Sequence, residues 1–259
     1  MALIRRQKRG RPMPLEAPFP PASARVAALN ARYRHHAAIA VLRHALQDPM
    51  LGPLAMVSSF GAESAVLLHM LAQIDRSLPV LFIDTELLFP ETLDYQLQLT
   101  HLLGLTAVQR LRPTAAQLER TDPKGTLHQT DSDACCALRK TQPLQAALAP
   151  FDAWITGRKR FQGQTRADLQ FFETDAAGRI KINPLAHWAP EDVAEYRRNN
   201  RLPPHPLVAR GYPSIGCAPC TSPVAQGEDP RAGRWRGQGK TECGIHIING
   251  KFQRKGTAE

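Results

Sequence analysis

The chain is expected to fold as an α/β domain around a mostly parallel sheet, and three features carry that expectation. Short apolar runs alternate with longer helical ones between residues 54 and 156, the order that builds βαβ units. A turn of small residues, Ser58-Ser59-Phe60-Gly61-Ala62, separates the first such run from a helical one. Pro90 opens a further helical run, at the position where its missing N–H costs nothing.

Taken in order, residues 1–21 are rich in Pro and basic groups, lack periodicity, and read as a flexible arm. Residues 22–47 read as one broken or two consecutive helices. Residues 54–57 form a short apolar strand, 58–62 a turn, and 63–74 an apolar helix. A second strand over 80–83 precedes a helix over 90–103. Residues 107–111 are weakly strand-like, 133–148 helical, and 153–156 again a strand. Residues 170–174 and 179–183 pair as a hairpin across Ala177-Gly178. A helix over 190–199 has acidic residues in its first turn, the favourable end of its dipole. From Arg201 onward Pro and Gly recur and periodicity fades, so this last segment must be held by something other than a core of its own.

The formal charge of +10 sits at the two ends. Arg5, Arg6, Lys8, Arg9 and Arg11 face no acid in the first twelve residues, and Arg231, Arg234, Arg236, Lys240, Lys251, Arg254 and Lys255 face only Glu242 and Glu259 in the last part. The middle is balanced, whereas a nucleic-acid reader carries a basic face across its body. No run reaches the roughly 18 apolar residues of a membrane span, and no apolar stretch follows the basic start as in a secretory signal. Neither a nucleic-acid nor a membrane partner is expected, and a cytoplasmic location is. In that compartment five cysteines point to metal binding or thiol chemistry before disulfides.

The turn Ser58-Ser59-Phe60-Gly61-Ala62-Glu63-Ser64 lies where a parallel sheet presents its carboxyl edge to ligands. Backbone N–H groups at the helix start and three hydroxyls suit a tetrahedral anion, although an ordinary capped helix start has the same composition. No Gly-Lys-Ser/Thr follows, so it is not a Walker loop. Asp84 and Thr85 end the next strand beside it. They suit contact with a nucleoside, or simple capping of the strand end.

Four cysteines form tight pairs, Cys135-Cys136 and Cys217-Ala218-Pro219-Cys220. Four thiolates suit zinc and an iron–sulfur cluster alike. Either metal would tie the aperiodic C-terminal segment to the core. Arg139 and Lys140 beside the first pair offset thiolate charge, or are a solvated basic face. Cys243 stands apart in Thr241-Glu242-Cys243-Gly244-Ile245-His246. Nearby cations favour its thiolate, Glu242 opposes it, and His246 is a base or only a neighbour.

Together these segments resemble the assimilatory sulfonucleotide reductases, in their iron–sulfur, adenylyl-sulfate (APS) reducing branch. Glu242-Cys243-Gly244-Ile245-His246 is similar to that family's E-C-G-L-H, and Cys135-Cys136 with Ile215-Gly216-Cys217-Ala218-Pro219-Cys220-Thr221 to its cluster motifs. Ser59-Phe60-Gly61-Ala62-Glu63, Phe89-Pro90-Glu91-Thr92, Thr156-Gly157 with Lys159-Arg160 and Gln162, Arg210-Gly211-Tyr212 and Gly233-Arg234-Trp235 support it. The resemblance implies an adenine-nucleotide α-hydrolase-like α/β sandwich with a cluster-tethered flexible C-terminal tail. It divides the chain into an arm (1–21), a nucleotide-binding reductase domain with the iron–sulfur site (22–230), and a tail carrying the nucleophile (231–259).

It further implies that Cys135, Cys136, Cys217 and Cys220 hold a 4Fe-4S cluster. Ser58, Ser59, Gly61, Ala62, Glu63 and Ser64 then hold the phosphosulfate, with Asp84 and Thr85 beside the nucleotide. Lys140, Lys159, Arg160, Arg166 and Arg234 supply neutralising charge, and His246 stands near the reaction. Cys243 attacks the sulfate sulfur, and thioredoxin or glutaredoxin completes reduction to sulfite in sulfate assimilation toward cysteine. A homo-oligomer is compatible with this picture. Glu86 replaces the family's glycine after Asp-Thr, and residues 158–162 shift the usual R-R-x-Q basic pattern. The competing functions are reduction of 3′-phosphoadenylyl sulfate (PAPS), a branch that generally lacks the four cluster cysteines, and ATP-dependent RNA thiolation. A zinc-stapled nucleic-acid module is a further alternative that the balanced middle disfavours.

Overall fold

A computed structural model describes residues 20–237 and residue 240. In chain order its elements are helices α1 (Ala22–Tyr33) and α2 (Ala38–Ala45), strand β1 (Leu54–Ser58), α3 (Ser64–Ala72), β2 (Val80–Ile83), α4 (Pro90–Leu103) and β3 (Val108–Leu111). Then come α5 (Ala115–Thr121), the single turn α6 (Leu127–Thr130), α7 (Ser132–Cys136), α8 (Gln142–Ala147), β4 (Ala153–Ile155), β5 (Phe172–Thr174), β6 (Ile180–Ile182) and α9 (Pro190–Asn199). A π turn, Ala137–Thr141, joins α7 to α8.

The strands form one six-stranded sheet in the order β3-β2-β1-β4-β6-β5. All neighbours are parallel except β5 and β6, the expected hairpin. Successive strand residues face opposite sides, and both sides are apolar. Leu54, Met56, Val80, Phe82, Ala153 and Ile155 pack under α1 to α4 and α9, while Ala55, Leu81, Ile83 and Trp154 pack with Leu144 and Leu148 of the α8 region. Burial on both faces is the condition of a parallel sheet, and the strands read as unbroken apolar runs for that reason.

The two sheet edges are managed differently. Asn30 of α1 hydrogen-bonds the backbone of Phe172 on the β5 edge twice, accepting from its N–H (3.0 Å) and donating to its carbonyl (2.8 Å). At the other edge β3 is only half-buried and carries Arg110, which bonds Asp84. Both devices occupy or charge backbone that would otherwise pair with another strand.

The chain from Arg201 onward holds no strand among the described residues. Two small clusters pack it down: Leu207 and Ile215 with Ala62, and Cys217 with Cys220 and Trp235. Close backbone approach helps. A Cβ at Gly233 would overlap the Ser222 carbonyl, whose residue's N–H already bonds Gly233 O at 2.9 Å.

Candidate active site

Strand β1 runs into the small-residue turn, and its geometry is specialised. Phe60 adopts a left-handed φ of 48°, strained for a bulky residue. Its ring is fully buried edge-to-face on Phe82, and its N–H donates to Ser58 Oγ at 3.2 Å. The turn therefore points Ser59 and Gly61 outward over the carboxyl edge of the sheet. Among the described residues the N–H groups of Gly61, Ala62 and Glu63 find no protein acceptor, while that of Ser64 bonds Gly61 O at 3.0 Å. Free amides at a helix entrance are anion donors.

A cavity of about 280 Å³ opens over this turn. Ser58, Ser59, Gly61, Ala62, Glu63, Ser64, Thr85, Lys140, Lys159, Arg166, Cys217 and Arg234 all line it. Two of the residues expected there do not. Asp84 turns away: its buried carboxylate takes ion pairs from Arg110 at 2.8 Å and Arg112 at 2.6 Å, and accepts from the Glu86 N–H. It caps the strand end and does not line the cavity. Arg160 is likewise directed elsewhere, its Nε donating to Leu169 O at 2.9 Å, because Lys159 takes the inward position. Cys243 and His246 lie outside the described residues.

Lys159 is buried, 2% exposed, and donates to Glu63 at 2.8 Å and Gly157 O at 3.0 Å. Burial drives its pKa below the ordinary lysine value, with the Glu63 charge opposing. Gln162 also donates to the same Glu63 oxygen at 2.7 Å and accepts from Arg166 at 2.6 Å.

On the other flank of β1, Thr85 Oγ1 stands 3.2 Å from Cys217 Sγ. The Ala218 N–H bonds Leu87 O at 2.8 Å, docking the C-x-x-C loop on the end of β2. Cys135, Cys136, Cys217 and Cys220 are all buried and free of disulfides. Burial, aided by the three nearby sulfurs and opposed by Arg139, pushes the Cys135 thiol up to about 11. Burial works to raise the Cys217 thiol as well, but the Lys140 charge, the Thr85 hydroxyl and Arg234 outweigh it and set its pKa below the ordinary value. The four thiols thus lie in one another's electrostatic reach in the interior, with Arg139, Lys140 and Arg234 close by. Among the described residues no group of three or more His, Cys, Asp or Glu is placed to hold a metal ion.

A further buried group is left over. The Trp235 indole N–H, in a ring packed with Cys217 and Cys220, has no hydrogen-bond acceptor among the described residues. A buried orphan donor needs an acceptor, and metal-bound thiolate sulfur or the sulfides of a cluster could supply one. The thiol set and the orphan donor together fit an iron–sulfur group.

Arg139 follows in the π turn and is buried. It pairs with Asp122 at 2.8 Å and donates to Thr85 O at 3.0 Å. Glu86 takes a left-handed φ of 60°, a conformation that glycine would adopt without strain. Its carboxylate reaches to 3.9 Å from Arg139 and does not line the cavity.

Arg234 lies flat across the C-x-x-C loop, and a Cβ on Gly216 would overlap its guanidinium. It donates to Ile215 O at 3.2 Å and stands 4.6 Å from the Trp235 ring centroid. Sequence reasoning passed over Arg231, which also lines the cavity, and Lys240, whose Nζ sits 2.6 Å from Asp133 and 3.5 Å from Cys136 Sγ. The signal for Arg231 was its place in the same Gly-rich stretch as Arg234; Lys240 carried none beyond its charge.

Residues 53–223 match the model of the phosphoadenosine phosphosulfate reductase domain family. The chain belongs to that family. One relative of this family member, an adenosine 5′-phosphosulfate reductase of Mesorhizobium japonicum, is 54% identical over 87% of the chain and 88% of its own length. Another, a phosphoadenosine 5′-phosphosulfate reductase of Gloeobacter violaceus, is 44% identical over 74% of the chain and 82% of its own. Among solved structures, a PAPS reductase from Candida auris in a phosphate complex superposes with a TM-score of 0.65 at 28% identity, over 77% of this chain and 96% of that one. An FMN adenylyltransferase of Candida glabrata, at 15% identity and TM-score 0.52 over 84% and 74%, shares the fold alone. The α/β nucleotide-binding fold is shared across these proteins.

Proposed function

We propose that the chain reduces adenylyl sulfate to sulfite and AMP in the cytoplasm, in sulfate assimilation, with thioredoxin or glutaredoxin as reductant. The observation that carries the reading is the meeting of an anion-binding turn with Lys140 and Arg234 directly beside four buried thiols. Membership of the family and the names of its relatives give the reaction class. No helix among the described residues is long and apolar enough to cross a membrane.

In this reading the amides and hydroxyls of the turn, with Lys140 and Arg234, hold the phosphosulfate and neutralise charge as it builds on the leaving phosphate. The Cys243 thiolate attacks the sulfate sulfur, the S–O bond to phosphate breaks, and AMP departs with that electron pair. The product is a cysteine S-sulfonate. A thiolate of the reductant then attacks Cys243 Sγ and sulfite leaves. The second reductant thiol resolves the mixed disulfide, so its two electrons account for the reduction of sulfate to sulfite. Cys135, Cys136, Cys217 and Cys220 would hold a 4Fe-4S cluster, which supplies electrostatic and structural support beside the sulfate.

The test is intact-mass spectrometry after mixing with APS. An adduct of sulfite mass should appear, vanish on addition of reduced thioredoxin, and never form in Cys243→Ser. Unimpaired sulfite production by that variant would defeat the reading.

A further inference from the structure

An anion cavity that also presents a carboxylate asks for an explanation. Glu63 lines the cavity with its side chain 29% exposed. One of its oxygens accepts from Lys159 and Gln162, at 2.8 and 2.7 Å. The other, Oε1, has no hydrogen-bond partner among the described residues. Lys159 is 2% exposed and spends its charge on Glu63 and the Gly157 carbonyl.

The topology sets Glu63 and Lys159 apart from the sulfur chemistry. Strand β1 has β2 on one side and β4 on the other. Cys217 docks on the β2 side through Thr85, whereas Lys159 follows β4. A phosphosulfate drawn to Lys140 and Arg234 beside Cys217 leaves the nucleoside to extend toward the β4 side, where Glu63 stands. A carboxylate oxygen is a strong acceptor for a hydroxyl and repels a phosphate at the same position. Selectivity built by repulsion is a general device.

We propose that Glu63 is a specificity-determining residue: it accepts a ribose hydroxyl and, by repulsion and by neutralising Lys159, weakens the positive field that a 3′-phosphate would need beside Arg166. The cavity then favours adenylyl sulfate over its 3′-phosphorylated form. This rests on the reading that the cavity takes a sulfonucleotide.

The experiment uses the full-length holoenzyme and measures two ratios: kcat/KM for APS against PAPS, and affinity for AMP against adenosine 3′,5′-bisphosphate. The wild type favours APS and AMP. Glu63→Gln shifts both ratios by about tenfold or more toward the 3′-phosphorylated ligands, because it removes the repelling charge and releases Lys159. Lys159→Met moves them the opposite way, since it leaves Glu63 unneutralised. Because each readout is a ratio, a general loss of folded protein cancels. If Glu63→Gln does not fold, Lys159→Met decides alone. A ratio within twofold of wild type in the folded variant, or a wild type that favours PAPS, overturns the proposal. A wild type that reduces neither nucleotide overturns instead the function on which it rests.

Discussion

The sheet and the segment that follows Arg201 are held together by different chemistry. The sheet buries Phe82, Ile155, Val80 and Leu81 completely between two helical layers, and hydrocarbon burial stabilises it. The later segment has three-residue apolar clusters, several proline and glycine turns, and thiols, cations and an indole in its interior. The difference teaches where each region gets its definition. The first is specified by apolar area; the second is specified by polar partners and, in the proposed holoenzyme, by iron.

The largest effect should come from cutting the sulfur attachment. Cys217→Ser is expected to abolish the iron–sulfur absorption and expose residues 201–237 to protease, while far-UV circular dichroism of the sheet domain persists. Protection of that segment in iron-free protein would show that the thiols do not carry it. Next in size, Phe82→Ala in the sheet should cost about 3–5 kcal/mol of global stability, as large aromatic truncations in cores do. Urea unfolding monitors it, and a loss under 1 kcal/mol would contradict the packing described.

An intermediate effect joins the two regions. His205 begins the later segment and is fully buried, its Nε2 3.1 Å from Thr92 Oγ1 of α4 and its Nδ1 accepting the Leu207 N–H at 3.2 Å. Burial lowers its pKa from 6.5 to about 4. The unfolded chain therefore takes up a proton at a pH where the folded one does not. The contribution of neutral His205 is whole above about pH 6.5 and is lost as pH falls toward about 4, by at most about 3 kcal/mol. Thermal melts between pH 7.5 and 4.5 should show this slope, and His205→Gln should flatten it. The smallest effect is at the surface: Arg210→Ala removes an exposed pair with Glu91 at 2.8 Å and should change stability by no more than about 0.5 kcal/mol.

The same contrast explains what could be read in advance. Strands and helices with buried apolar faces were legible; the boundaries of β2 and α4 agree with expectation residue for residue. Helix α5 was missed because it buries nothing. Its signal is the capping box of Thr114 and Gln117, a local device rather than a periodicity. In the site, the turn and the buried cysteines were visible as motifs. The direction of a charged side chain was not. Asp84 and Arg160 stand in suggestive motifs, yet partners outside those motifs, Arg110 and Arg112 for one and Leu169 for the other, turn them aside. Lys240 comes inward for an equally non-local reason, its pair with Asp133.

The π turn between α7 and α8 acts as a ruler. It carries Arg139 and Lys140, both buried, just past the adjacent cysteines. A π turn admits one residue more than the regular helix. Removing a residue between Cys136 and Gln142 would restore the ordinary repeat and rotate one end against the other by about 100°. The cysteine sulfurs and the cavity cation would then no longer face the same interior, so the number of residues separating them is as much a part of the chemistry as their identity.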